Sequence, residues 1–129
     1  MKKSLLCFPI LFCLSCTAKS DLKDSKFLVM DEALLDVKRT LPKKNSPYTI
    51  WKDIYREGQK IYFIYQMDNY TFPADKIHLL EGIASSEPVK SQICNSLIND
   101  MDQEYFVVSN TYDMNDKLLF SYTYSKENC

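Results

Sequence analysis

Gly58-Gln59-Lys60-Ile61-Tyr62-Phe63-Ile64-Tyr65 and Asn115-Asp116-Lys117-Leu118-Leu119-Phe120-Ser121-Tyr122 are the two stretches on which the fold turns. Each reads turn, lysine, aliphatic, any residue, Phe, any residue, Tyr. Side chains alternate faces along a strand. The first stretch therefore puts Ile61, Phe63 and Tyr65 on one face, and the second does the same with Leu118, Phe120 and Tyr122. Each stretch is preceded by a strand-like run, residues 48–56 and 104–112. In the first run Tyr48, Ile50 and Ile54 share one face, with Trp51 and Tyr55 on the other. Two hairpins are predicted, turning at residues 57–59 and 113–116, with Gly58 free to adopt positive φ.

Helical periodicity flanks the hairpins. Phe27, Met30, Leu34, Val37 and Leu41 recur at spacings of three and four, and Pro42 ends that helix. Residues 43–47 read as a loop. Between the hairpins, residues 74–82 and 87–101 read as two helices. Ser86 is placed to cap the second, with Pro88 in its first turn. The expectation is an α+β domain in the order α-β-β-α-α-β-β. Its sheet would be four-stranded and antiparallel, with the helices packed on one face.

Upstream, Lys2 and Lys3 precede an apolar run from Leu5 to Leu14, broken only by Pro9. The run is about half the roughly twenty residues a membrane-spanning helix needs. A positive start, a short apolar core and small residues after it make a secretory signal. Cys13-Leu14-Ser15-Cys16 resembles a bacterial lipobox, which implies cleavage before a diacylated Cys16. Cys13 departs from that pattern, because leucine is usual there. Ordinary cleavage after Ala18 is the alternative, and it would leave a soluble periplasmic protein. The predicted organisation is a signal peptide over residues 1–15, a lipidated Cys16 with a polar tether to residue 25, and one domain over 26–129. Thr17 after the cysteine supplies no retention Asp. By resemblance, the destination is the outer membrane, with the domain facing the periplasm.

Cysteine usage agrees with export. Of five cysteines, Cys7 and Cys13 leave with the signal and Cys16 is lipidated or removed. Cys94 and Cys129 remain, a matched pair for an oxidising compartment. A Cys94–Cys129 disulfide is predicted. It would pin the C-terminus and staple a helix to the sheet.

About 113 residues follow the signal, enough for one core. Without Lys2 and Lys3, 14 basic residues face 17 acidic ones, a net charge of −3. Nucleic-acid binding is not expected, since phosphate recognition needs clustered Lys and Arg. Two glycines cannot build a phosphate cradle, and no nucleophile-elbow or P-loop pattern occurs. His78 is the only histidine, which argues against metal sites and nucleophile–base pairs. No metal, cofactor or catalytic residue is expected. Asp100, Asp102 and Glu104 form an acidic cluster that a small hydrolase could use, but a solvated connection is the commoner setting.

Nine tyrosines and seven phenylalanines are many for this length. Tyr and Trp combine apolar area with a polar tip, as interfaces require. If one sheet face is uncovered, Trp51, Tyr55 and Tyr62 are the candidate binding surface.

Leu41-Pro42, the first hairpin, the Cys94 helix and a last hairpin carrying Tyr122, Tyr124 and Cys129 together resemble a group of small exported proteins of Gram-negative bacteria. The resemblance covers most of the chain after the signal and implies the fold and the disulfide. It carries over no catalytic residue. The function expected is a non-enzymatic envelope lipoprotein, acting as a protein-binding or assembly module for another envelope protein. The alternatives are an inhibitor that neutralises a toxin and a binder of a small apolar ligand.

Overall fold

The computed structural model describes residues 25–129. The signal, Cys16 and nearly all of the tether lie outside the described residues. The chain divides into two compact units at Glu32/Ala33. Of the first, the described part holds a 3-10 turn at Ser25–Phe27 and the opening of helix α1 (Leu28–Lys38), with Phe27 and Met30 buried.

The second unit is a five-stranded sheet with its helices inserted between strands three and four. Its strands are β1 (Lys43–Ser46), β2 (Thr49–Glu57), β3 (Lys60–Met67), β4 (Phe106–Tyr112) and β5 (Leu118–Tyr124), adjacent in chain order. Between β3 and β4 run a 3-10 turn at Ala74–Lys76, helix α2 (His78–Ala84) and helix α3 (Glu87–Ile93). A π-helical turn at Cys94–Ile98 continues α3. Among the described residues, no helix is long and apolar enough to cross a membrane.

This architecture corrects the expected four-stranded antiparallel sheet in two respects. First, residues 43–46 are not loop but an edge strand, paired antiparallel with β2. Lys, Asn and Ser have low strand propensity, so pairing with β2 makes this strand, not composition. Its two exposed lysines blunt the free edge against association. Second, the two hairpins meet in parallel, Ile61 beside Val107 and Tyr65 beside Thr111. Parallel neighbours need a crossover of a dozen or more residues, which α2 and α3 provide. The chain returns to the end where β3 began, and the Phe106 amide donates to the Gln59 carbonyl at 2.9 Å.

The turns form where expected. Gly58 has φ 59° in the first hairpin, a value costly for a side chain. In the second, Asp116 takes φ 64°, and the Asp113 carboxylate accepts from the amides of Asn115 and Lys117. The predicted long helix over 87–101 ends earlier, at Ile98, where Asn99 is extended and Asp100 takes φ 57°. Ser86 sits at the N-cap, but its hydroxyl donates back to Ile83 rather than capping α3.

Ladder register separates the two faces of the sheet. One carries Ile54, Ile61, Phe63, Met67, Val107 and Tyr124, all buried. This is the core face, and α2 and α3 lie over it. The other carries Ile50, Tyr55, Tyr62, Ile64, Phe106, Val108 and Tyr112, and none of these is buried. Cys94 is joined to Cys129 by a disulfide, with Cα atoms 5.7 Å apart. It ties the turn after α3 to the end of the chain beyond β5.

Candidate functional site

Two β-bulges decide which aromatic residues share a face. Trp51 pairs with Tyr65, but Asp53 pairs with Ile64, so Lys52 is an extra residue in β2. One inserted residue reverses the alternation beyond it. Trp51 therefore joins Ile54 on the core face, and Tyr55 joins Ile50 on the open face. The second bulge lies between Thr111 and Tyr112, where Leu119 is the unpaired residue of β5. It keeps Phe120 and Tyr122 on the core face but separates Leu118, which is half-exposed.

The three predicted surface residues thus divide. Tyr55 and Tyr62 stand together on the open face, stacked with ring centroids 4.9 Å apart and planes 18° from parallel. Trp51 lies on the opposite face, stacked on Phe63 at 5.2 Å, with its indole N–H donating to the Asp53 carbonyl. The structure adds Tyr112 to the open pair. The Tyr55 pKa is raised, first by desolvation and then by Glu57, Tyr62 and Tyr112 nearby. Ile64 and Val108 fill the space between these tyrosines on β3 and β4. The result is a half-exposed aromatic and aliphatic surface on the face opposite α2 and α3, with Lys38 of α1 paired to Asp53 beside it at 3.1 Å.

On the core face the helices do not close fully over the sheet. A cleft of about 450 Å³ runs between them. Leu80, Ile83, Ala84, Val89 and Ile93 form its helical wall, and Tyr65, Met67, Ser109, Thr111, Phe120 and Tyr124 form its sheet wall. Burial raises the Tyr65 pKa well above the ordinary tyrosine value. Sequence reasoning missed this cleft. Its one available signal was Ser109 and Thr111, small polar residues at inward positions of β4.

Tyr124 joins the two walls. Its hydroxyl donates to the Ala84 carbonyl at 2.8 Å. Burial, with Tyr122 adding to it, pushes its pKa up to about 12. The unfolded phenol titrates near pH 10, so below that both states are protonated and the group contributes no pH dependence. Above pH 10 the unfolded chain releases the proton first, and stability falls by up to about 1.4 kcal/mol per pH unit for this group. Urea unfolding from about pH 8 to about pH 11 should show that decline. Tyr124→Phe should make it shallower, at a cost of about 1 kcal/mol for the lost hydrogen bond. An equally steep decline in the variant would contradict the assignment.

The acidic cluster does not converge on a cleft. Asp100, Asp102 and Glu104 are exposed along the connection into β4, and His78 is exposed at the start of α2. Among the described residues no group of three His, Cys, Asp or Glu side chains could hold a metal ion.

No protein-family model matches the sequence, and no curated protein matches it at a significant level. Solved structures do match its fold. A secreted protein of Pseudomonas aeruginosa superposes with a TM-score of 0.63 at 7% identity, over 81% of this chain and 93% of that one. EpsS, the pilotin of the Vibrio vulnificus type 2 secretion system, gives 0.54 at 10% identity, over 81% and 92%. The Vibrio cholerae type II secretion pilotin AspS gives 0.51 at 10% identity, over 87% and 99%. At these identities the likeness establishes a shared fold with small proteins of Gram-negative bacteria.

Proposed function

We propose that this chain is a non-enzymatic lipoprotein of the cell envelope that serves as an accessory module in assembling an envelope machine. Cys16 carries the lipid and holds the chain at the outer membrane, with the folded unit in the periplasm. The partner is a protein component of a secretion system, and it docks on the open face of the sheet. The fold shared with EpsS and AspS supports the machine, and the export signal followed by Cys16 supports the anchor.

The open face is the observation that carries this reading. A sheet in a small protein ordinarily covers its apolar side. Here Tyr55, Tyr62, Ile64, Val108 and Tyr112 lie together on one face, and none of them is buried. Exposed patches of this kind mark interaction sites. Tyrosine is suited to such a role, offering large rigid area with a hydrogen-bonding tip.

Capture from envelope extract tests it. The intact chain should retain one dominant secretion-system component. Tyr62→Ala with Tyr112→Ala should retain at least about tenfold less, since interface hot spots are each worth about 2 kcal/mol or more. Equal capture by both proteins contradicts the docking face. In the same cells a palmitate analogue should label the chain but not its Cys16→Ala variant. An unlabelled parent would instead support cleavage after Ala18 and a soluble periplasmic protein.

A further inference from the structure

We propose that the cleft on the core face, opposite the docking surface, binds an uncharged single-chain amphiphile. Its apolar chain would lie along α2 and α3. Its hydroxyl- or amide-bearing head would meet the hydroxyls of Tyr65, Ser109 and Thr111.

Three observations carry this. The first is the polar row. Tyr65 and Thr111 are ladder partners on β3 and β4, and Ser109 lies two residues before Thr111 on the same face. Among the described residues, none of these three hydroxyls bonds to another protein group. Among the described residues, no fully buried side-chain polar atom lacks a partner. These hydroxyls therefore open onto the cleft instead of being sealed in the core. The inward side of β4 runs from Val107, fully buried, to two hydroxyl residues where the cleft begins.

The second is the absence of charge. About a quarter of the chain is Asp, Glu, Lys or Arg, yet among the described residues none that lines the cleft is charged or is histidine. A carboxylate, phosphate or ammonium entering it would lose water and find no counter-charge, which is strongly unfavourable. A neutral polar head would recover its lost hydrogen bonds from the hydroxyl row.

The third is size. At about 450 Å³ the cleft lies in the range of small-molecule sites, about 300–1,000 Å³. The cleft has room for an extended alkyl chain.

Matched eight-carbon probes, used below their micelle concentrations, test this on the exported Cys16→Ala chain by amide NMR. Octyl glucoside is neutral and hydroxylated, octanoate is anionic, and octyltrimethylammonium is cationic. Octyl glucoside should saturably shift the amides of Tyr65, Ser109, Thr111 and Ala84. It should bind at least about tenfold more tightly than either ionic probe. Ser109→Ala with Thr111→Val should remove that preference, with an otherwise unchanged amide spectrum showing that the variant is folded. Equal binding of the three probes, shifts confined to the Tyr55–Tyr62–Tyr112 face, or no saturable shift in the cleft would each overturn the proposal. None of these results bears on protein docking at the open face, which is read separately by capture.

Discussion

Replacing Cys94 and Cys129 together by alanine is expected to lower the unfolding free energy by roughly 4 kcal/mol. The two residues are 35 apart in sequence, so the bond closes a long loop. In the chain-entropy treatment, opening such a loop returns about that much freedom to the unfolded state. For a domain of this size the loss corresponds to a fall in midpoint of about 15–30 °C. The loop contains the π-turn, β4, the second hairpin turn and β5, so the bond restrains half of the core pairing. Local contacts at the tail are a weak substitute. The Cys129 amide donates to Ser125, and Asn128 bridges the Ser125 amide and the Thr123 carbonyl. Those bonds span a few exposed residues, and without the disulfide the last five residues should fray. Thermal unfolding of the double variant, with the reduced parent alongside, measures the effect. A loss under about 1 kcal/mol in both would contradict it.

The second large effect separates the two faces of β3. Ile61 is fully buried beside Val107, whereas Ile64 lies on the open face near Tyr55 and Tyr62. Ile61→Ala removes packed methyl groups and leaves a cavity between sheet and helices, at a cost of about 2–5 kcal/mol. Ile64→Ala removes the same atoms from a surface that solvent already reaches, at a cost below about 1 kcal/mol. Urea unfolding of the two variants checks the difference directly. Equal costs would mean that something covers the open face, and the docking surface would be lost with it.

Local chemistry made much of this legible. Alternation located β2 to β5, Gly58 marked the first hairpin, and periodicity marked the crossover helices. Cysteine bookkeeping found the Cys94–Cys129 bond. What stayed hidden was non-local. The residues of β1 have little strand preference, and only the presence of β2 makes them pair. Whether two hairpins meet parallel or antiparallel depends on which end of the sheet the crossover reaches, and no residue pattern encodes that end.

The bulge at Lys52 was hidden for a sharper reason. Ile50-Trp51 and Ile54-Tyr55 are adjacent apolar pairs, so each register puts one member on each face. Alternation is satisfied with or without the extra residue. Unbroken alternation groups Trp51 with Tyr55 and Tyr62, whereas the extra residue puts it on the core face with Phe63. Tyr112 could not be grouped with them until β4 was known to lie beside β3. The cleft is less visible still, since its walls come from β3, β4, β5 and two helices that meet only in the folded chain.

Site-specific photo-crosslinking in living cells separates docking at the open face from docking in the cleft. A benzophenone side chain placed at Tyr62, and separately at Phe120 in the cleft, samples the two faces. One strong crosslink to a secretion-system component is expected from Tyr62 and none from Phe120. A crosslink to that component from Phe120 and none from Tyr62 would contradict docking at the open face.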